Sequence, residues 1–251
     1  MFTVAAEAYD RFMGRYSTLL APQLVDFAGV AAGQRALDVG CGPGALTAVL
    51  ADRLGSAAVT AVDPSESFVA AAKERHPGTD IRRASAERLP FPEDRFDTAL
   101  AQLVVHFMDD PVAGLREMAR VTRRGGVVAA CVWDHASDGG PLSRFWGAAR
   151  ETDPDVHDES KLAGARQGHL NELFGAAGLD QVEERALSVD LAHASFEDWW
   201  EPFTLGVGPA GAYVSALDPE ARARLRERCR QTFPAGEFVV TARAWAARGV
   251  A

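Results

Sequence analysis

The sequence contains little cysteine, with three residues far apart at Cys41, Cys131 and Cys229. Their odd number and wide spacing fit neither a disulfide framework nor a zinc-binding pattern, so we expect a reducing, cytoplasmic compartment. No apolar run approaches the roughly 18 residues of a membrane-spanning helix, and the N-terminus lacks the basic start and apolar core of a signal peptide. We therefore expect neither a membrane partner nor secretion.

Clusters of positive charge are also absent. Lysine and arginine total 26 against 35 aspartates and glutamates, which gives a formal net charge of -9. Nucleic-acid binding usually requires a basic stripe that neutralises phosphates, so a nucleic-acid partner is not expected. The chain also lacks internal repeats and low-complexity segments, and no feature of the sequence predicts an oligomeric state.

The composition that is present is ordinary for a globular protein. Hydrophobic residues make up 47% of the 251 residues and charged residues 24%, close to the usual fractions. This length supports one sizeable α/β domain, alone or with a small cap. The acidic charge and the aromatic residues near the C-terminal third favour a small, partly apolar partner molecule.

A glycine-rich turn between Arg35 and Leu46 organises the chain. The segment reads RALDVGCGPGAL: an apolar run ends at Gly40, Gly42 and Gly44, and a helix-like segment follows at once. Glycine permits positive φ, and without a Cβ it lets a ligand lie against the backbone. The free N–H groups and positive dipole end of the following helix favour an anionic or strongly polar ligand group.

Two ligand-binding families use a turn of this kind. The dinucleotide fingerprint is G-x-G-x-x-G with an acid about 20 residues later, whereas this turn is G-C-G-P-G, preceded by an aspartate. The pattern D-V-G-C-G-P-G resembles motif I of class I S-adenosylmethionine (SAM) dependent methyltransferases. The resemblance implies SAM as the cofactor, with contacts from Asp38, Gly40, Cys41, Gly42 and Gly44.

An acidic residue stands at the end of the second predicted strand. The segment AAVTAVD ends at Asp63, and in a doubly wound sheet the carboxyl end of that strand faces the ligand crevice. A carboxylate there can accept hydrogen bonds from both ribose hydroxyls, a charge-assisted arrangement. The expected cofactor contacts at this edge are Asp63 and the next two residues, Pro64 and Ser65.

The resemblance continues after the third predicted strand. The segment ASAERLPFPEDRFD is similar to the G-D-A-x-x-L-P-F-x-x-x-x-F-D pattern of quinone-biosynthesis and other small-molecule methyltransferases. Ser85 stands where the family carries an acid that accepts the adenine N6 hydrogen, and a hydroxyl is a weaker acceptor than a carboxylate. The resemblance implies an adenine pocket at Ser85, Ala86 and Glu87, with Ser85 or Glu87 as the polar partner.

The segment that follows the fourth predicted strand begins at Gln102, and in the family it passes the methionine and sulfonium end of SAM. His106 lies in this segment, and a neutral imidazole there could remove a proton from the acceptor. The alternative is structural, since a lone histidine beside an apolar run is more often a packing residue. The fifth predicted strand ends at Trp133-Asp134-His135, and these three residues are candidates for the acceptor pocket, with a strand-end turn as the alternative; His135 is also a second candidate for catalysis.

The N-terminal segment is predicted to be helical, with Pro22 dividing its apolar pattern, which includes Val4, into two pieces. Aromatic and arginine residues from Tyr9 to Tyr16 flank Gly14 and could close over a ligand, although a packing helix is the alternative. Among them, Tyr16 is the expected cofactor contact.

Strands and helices alternate through about residue 133, which predicts a parallel sheet with helices on both faces. The resemblance implies a doubly wound, mostly parallel α/β sheet of seven strands in the order 3-2-1-4-5-7-6, its seventh strand antiparallel. The chain is then one Rossmann-like domain with a helical lid (1–28), a core (29–189 and 237–251) and a small helical cap insertion (190–236).

The C-terminal half carries weaker signals. Strands six and seven are expected at Gln181–Val189 and Phe238–Ala244, and Trp199 and Trp200 of the cap could line an apolar site. The acidic stretch 153–159, DPDVHDE, matches no EF-hand or helical H-x-x-x-H pattern, so a solvated loop is preferred and no metal site is predicted.

The resemblance implies transfer of a methyl group from SAM to oxygen, nitrogen or carbon of a small-molecule acceptor by in-line displacement, with S-adenosylhomocysteine as the product. Two other classes stay open. A nicotinamide-dependent oxidoreductase would share the glycine turn and the acid after the second strand, and a SAM-binding protein could lack transferase activity.

Overall fold

One sheet fixes the architecture of residues 6–251, the part of the chain that the computed structural model describes. Its seven strands are β1 (Ala36–Val39), β2 (Val59–Asp63), β3 (Asp80–Arg83), β4 (Phe96–Gln102), β5 (Thr122–Trp133), β6 (Asp180–His193) and β7 (Phe238–Val250). They are ordered β3-β2-β1-β4-β5-β7-β6. The first five strands are parallel, and β7 lies antiparallel between β5 and β6. The predicted fold class and strand order are confirmed.

Helices cover both faces of this sheet. They are α1 (Ala6–Tyr9), α2 (Arg15–Ala28), α3 (Ala45–Leu54), α4 (Glu66–Arg75), α5 (Pro111–Val121), α6 (Ser143–Thr152), α7 (His169–Ala176), α8 (Phe196–Trp200), α9 (Gly208–Ala216) and α10 (Pro219–Arg230). Ala36 and Leu37 are adjacent on β1 and fully buried, yet they belong to two different hydrophobic clusters, as burial of both faces requires. Between residues 6 and 251, no helix combines the length and apolar character needed to cross a bilayer.

The N-terminal helix breaks at a different place from the predicted one. α2 runs through Pro22, and the irregularity is the π-helical turn Asp10–Gly14. A proline inside a helix costs about 3 kcal/mol. Burial offsets that cost here, because Leu20 and Leu24 on either side of the proline are fully buried. The first predicted apolar position, Val4, lies outside the described residues.

The two C-terminal strands are longer than predicted because they pair with each other. Their register runs from Asp180 opposite Val250 to His193 opposite Phe238. β7 also pairs with β5, up to Val127 opposite Val250. Cross-strand hydrogen bonding therefore extends both strands past the ends that the local sequence indicates.

The segment between β6 and β7, which the sequence predicts to be a helical cap, contains α8, α9 and α10, and it begins after residue 193, since residues 190–193 continue β6. Trp199 and Trp200 are buried there and contact Phe203, whose ring centroid lies 4.7 Å from that of Trp199. Phe145 of α6 stacks on Phe203 at 4.5 Å with an interplanar angle of 11°. These aromatic contacts attach the cap to the domain core.

Removing the Phe145 ring from this stack should loosen the attachment of the cap. Phe145→Leu is expected to lower the free energy of unfolding by about 1–2 kcal/mol, because the stacking contact and part of the ring volume are lost. Urea denaturation measures this change. As a control, Leu19→Ala alters a side chain of α2 that is already 41% exposed, and its effect should stay within about 0.5 kcal/mol. Equal effects of the two substitutions would contradict the assigned role of the stack.

Candidate functional site

The glycine-rich turn between β1 and α3 is anchored to the neighbouring strand. The N–H groups of Gly40 and Cys41 both donate to the carbonyl oxygen of Val62, at 2.8 and 2.9 Å. Gly40 has φ 72° and Gly42 has φ 54°, in the left-handed region that favours glycine. A Cβ at Gly40 would lie 2.4 Å from Val104 Cγ2, whereas a Cβ at Gly42 would meet no protein atom within 4 Å. The turn therefore presents bare backbone to open space at Gly42.

Asp63 lies at the carboxyl end of β2 and faces this turn. Its Oδ2 accepts a hydrogen bond from the Gly42 N–H at 2.9 Å, and its Oδ1 accepts one from the Ser65 N–H at 2.8 Å. The side chain is buried, and this burial raises the pKa of the Asp63 carboxyl, although the two N–H donors act in the opposite direction. Each carboxylate oxygen keeps lone-pair capacity for a further donor.

A cavity of about 240 Å³ opens at this edge of the sheet. Turn residues, the end of β2, the segment after β4 and part of the cap enclose it. Eight residues predicted from the sequence line the cavity, namely Gly40, Gly42, Asp63, Pro64, Ser65, Gln102, His106 and His135. The structure places seven other predicted contacts outside this lining, namely Tyr16, Asp38, Cys41, Gly44, Ser85, Ala86 and Glu87.

Residues 37–130 match a family model described as a methyltransferase domain. Over 137 residues the chain is 34% identical to a ubiquinone/menaquinone biosynthesis C-methyltransferase of Bdellovibrio bacteriovorus, and the match covers 51% of this chain and 58% of that protein. An uncharacterized protein of Mycobacterium tuberculosis is 31% identical over 231 residues, which cover 84% of this chain and 80% of the relative. The chain belongs to the class I SAM-dependent methyltransferases. SAM is the cofactor of this family, as the resemblance implied.

A solved structure agrees on the fold of this methyltransferase. A geranyl diphosphate C-methyltransferase from Streptomyces coelicolor A3(2) aligns with a TM-score of 0.55 at 16% identity, covering 95% of this chain and 80% of that one. The chain spans about half the length of the first curated relatives that it matches.

Three residues of motif I lie behind the turn of the methyltransferase rather than in the cavity. Asp38 is buried, its Oδ2 accepts a 2.6 Å hydrogen bond from Thr47 Oγ1, and its Oδ1 has no partner among the described residues. Burial raises the pKa of Asp38 to about 7 despite the Thr47 bond. Cys41 is also buried, and Gly44 precedes α3 at a point where a Cβ would lie 2.5 Å from His76 Nε2. These three residues therefore lie on the protein side of the turn, where they pack against it and do not face the cavity.

The pKa of Asp38 predicts a pH-dependent stability. Because the folded chain holds this proton up to about pH 7 and an ordinary aspartate releases it near pH 3.8, stability should fall as the pH rises between these values. One proton contributes at most about 1.4 kcal/mol per pH unit. Asp38→Asn should remove the contribution of this carboxyl to the slope of the unfolding free energy against pH. Asp52→Asn, at an exposed position, should leave that slope unchanged. Denaturant unfolding between pH 4 and 7 measures both slopes, and equal slopes for wild type and Asp38→Asn would refute the assignment.

The predicted adenine segment of the methyltransferase lies outside the lining of the cavity. Ser85 is exposed and Ala86 is buried. Glu87 is already engaged, since its Oε1 accepts a 3.0 Å hydrogen bond from the Asp109 N–H. The choice between Ser85 and Glu87 as the adenine partner therefore stays a prediction.

The N-terminal segment contributes Tyr9 to the cavity, where Tyr16 was expected. The Tyr16 hydroxyl lies 3.1 Å from His193 Nε2, and its ring packs against Trp133 at 6.1 Å between centroids. Tyr9, Phe12 and Met13 line the cavity instead. Their spacing of three and four residues places them on one helical face, but that pattern alone does not distinguish a cavity lining from a packing face.

The last residue of β5 and the two residues that follow it point in alternate directions. Trp133 and His135 line the cavity, whereas the Asp134 side chain turns away and is paired with Arg243 at 2.5 Å. Burial opposes ionisation of Asp134, but hydrogen bonds from Ser137 and Arg243 outweigh it and lower its pKa. Asp134 is thus excluded from the acceptor pocket by its own ion pair.

Two histidines and a glutamate form the polar wall of the cavity. His106 lies in the 3-10 turn Val105–Phe107, and Glu159 precedes α7 in the stretch predicted to be a solvated loop. That prediction is wrong for Glu159, which is 4% exposed and whose Oε2 accepts a 2.9 Å hydrogen bond from Trp146 Nε1. Burial lowers the pKa of His106 to about 3 and of His135 to about 4, and it raises that of Glu159 to about 7. Both imidazoles are neutral at pH 7.

Proposed function

We propose that this chain transfers the methyl group of SAM to a small molecule held in the cavity. One observation carries the proposal: the Asp63 carboxylate faces the Gly40–Gly42 turn and is fixed there by two backbone N–H groups. An adenosyl group requires bare backbone against which it can lie and a charged acceptor for its two ribose hydroxyls. The turn and the carboxylate supply both.

The spacing of the glycines favours SAM over a nicotinamide cofactor. In the dinucleotide fingerprint two residues separate the second glycine from the third, but Pro43 alone separates Gly42 from Gly44. The helix that follows therefore starts one residue earlier than the fingerprint requires. This difference argues against the oxidoreductase alternative.

The shape of the cavity favours a transferase over a protein that only binds SAM. Beyond Asp63 the cavity continues between Leu103, Leu142 and the cap residues Val207–Ala210, and we assign this part to the acceptor. The sulfonium is already a good leaving group, so the main task of the protein is to align acceptor and methyl. Such positioning can supply about 7–11 kcal/mol of the barrier.

The lining indicates an acceptor with an apolar body and one polar group. Leu103, Trp133 and Leu142 form apolar walls, and His106, His135 and Glu159 lie together as a polar group in the same lining. The Bdellovibrio relative is named for a C-methyltransferase reaction in quinone biosynthesis, and a phenolic ring of that kind fits this distribution. An oxygen or nitrogen acceptor must also lose a proton, and the two imidazoles are the groups that face it.

The cysteines support a reducing compartment. All three are buried and unpaired, and burial raises the pKa of Cys131 to about 12, so none is poised to form a disulfide. We place the enzyme in a reducing compartment, the cytoplasm, as its sequence also favours.

Isothermal titration with SAM, NAD and NADP tests the cofactor, and formation of S-adenosylhomocysteine with a metabolite extract tests the transfer. We expect one SAM site per chain, no heat from either nicotinamide nucleotide, and products heavier by one methyl group. Binding of NAD in place of SAM would overturn the proposal. SAM binding without any methylated product would favour the binding-only alternative.

A further inference from the structure

His106, His135 and Glu159 are a cluster of buried polar groups with unmet bonding capacity. The two histidines are each 8% exposed and the glutamate is 4% exposed. His106 Nδ1 and His135 Nε2 have no hydrogen-bond partner between residues 6 and 251. Burying such an atom without a partner is unfavourable, so a ligand that engages the cluster would be favoured.

The donor atoms converge on one point. One ligand atom from each of the three side chains lies within 4.8 Å of the others, and His135 Nε2 is 4.0 Å from Glu159 Oε1. Ligand atoms about 2.1 Å from a common ion are at most about 4.2 Å apart. A small rotation of a side chain therefore brings all three within bonding distance of one ion.

We propose that His106, His135 and Glu159 bind a divalent transition-metal ion, which holds an oxygen of the methyl acceptor in the cavity. Two imidazoles and one carboxylate are a known ligand set for zinc and for non-haem iron, and both leave further coordination positions open. Magnesium and calcium prefer all-oxygen sites. The site revises the expectation, drawn from the spacing of residues 153–159, that the chain has no metal site.

The surroundings of the cluster support coordination. Trp146 Nε1 holds Glu159 Oε2 at 2.9 Å, which orients the other carboxylate oxygen, and metal sites commonly fix their ligands in this way. All three ligands line the same cavity as Gly42 and Asp63, so open coordination positions face the space assigned to the acceptor.

The site narrows the acceptor class, an inference that rests on the proposed function. Two neutral imidazoles and one carboxylate leave a bound divalent ion with a net positive charge. Such an ion favours an oxygen donor, as in a phenol, an enol or a hydroxy acid, over an amine or a purely apolar carbon. With the ion bound, the two imidazoles act as ligands and no longer as proton acceptors.

Titration of the chelator-treated full chain with Zn²⁺ tests the site. We expect one Zn²⁺ per chain, with affinity at least about 100-fold weaker in His106→Ala, His135→Gln and Glu159→Gln, since even indirect ligand partners contribute 10–100-fold. The matched control is His157→Ala, which removes an exposed histidine two residues from Glu159 and should bind Zn²⁺ as the wild type does. Mg²⁺ should bind much more weakly than Zn²⁺.

Circular dichroism shows whether each variant folds, and the visible spectrum of Co²⁺ added to the wild type reports whether the ion leaves its hydrated, six-coordinate state, without any substitution. The metal site would be overturned if Zn²⁺ does not bind, if the three variants bind it as tightly as the wild type does, or if the Co²⁺ spectrum stays that of the hydrated ion. A SAM titration on the same samples separates the two proposals. If Zn²⁺ binds as expected and SAM does not, the metal site stands and the proposed function fails; the reverse result removes the metal site alone.

Discussion

Asp63→Ala is expected to weaken SAM binding about 10³-fold, or about 4 kcal/mol. The carboxylate is placed to accept both ribose hydroxyls, and a hydrogen bond to a charged group is worth about 1.5–3 kcal/mol. The same side chain also holds the N–H groups of Gly42 and Ser65, so its loss removes support for the turn. Isothermal titration measures the affinity.

Two further variants separate the charge from the shape of Asp63. Asp63→Asn keeps the size of the side chain and one acceptor oxygen. Its SAM affinity should therefore lie between that of the wild type and that of Asp63→Ala. Asp52→Asn removes an exposed carboxylate of α3 and should leave the affinity unchanged. A loss of less than about tenfold in Asp63→Ala would show that the adenosyl group is held elsewhere.

Gly42→Ala is expected to weaken SAM binding about 100-fold while the chain remains folded. The added Cβ would meet no protein atom within 4 Å, so it would occupy the open space that we assign to the cofactor. An overpacked contact costs about 1–3 kcal/mol. The positive φ of 54° adds about 1–2 kcal/mol of backbone strain to the fold itself. Titration with SAM and thermal unfolding measure the two effects separately.

Two other glycines provide matched controls. Gly33 has φ 86°, and a Cβ there would also meet no atom within 4 Å. It precedes β1 and does not line the cavity, so Gly33→Ala should lose stability and keep SAM affinity. Gly40→Ala should destabilise the fold strongly, because its Cβ would clash with Val104. If Gly42→Ala binds SAM as tightly as Gly33→Ala does, the cofactor does not lie against this turn.

The turn and Asp63 could be predicted because local sequence determines both. Glycines after an apolar strand indicate a backbone with positive φ, and an acid at the end of the second strand must lie at the same sheet edge. The strand order was predicted from the resemblance and is confirmed. The lengths of the C-terminal strands were not predicted correctly, because β7 is extended to Val250 by pairing with β5 and β6.

Tyr9 and Glu159 could not be assigned because their positions depend on tertiary packing. The π-helical turn Asp10–Gly14 has a wider spacing than an α-helix, so it changes which aromatic residue of the N-terminal segment faces the cavity. Glu159 lies in an acidic stretch that looks solvated in the sequence. Its burial depends on Trp146, a partner 13 residues away that no local pattern indicates.

A crystal structure with S-adenosylhomocysteine tests the central claim most directly. We predict that both ribose hydroxyls donate to the Asp63 carboxylate and that the ligand backbone passes over Gly42 within van der Waals distance. The thioether sulfur should then face the part of the cavity that His106 and His135 line. A ligand bound at any other edge of the sheet, or a ribose without contact to Asp63, would contradict the account.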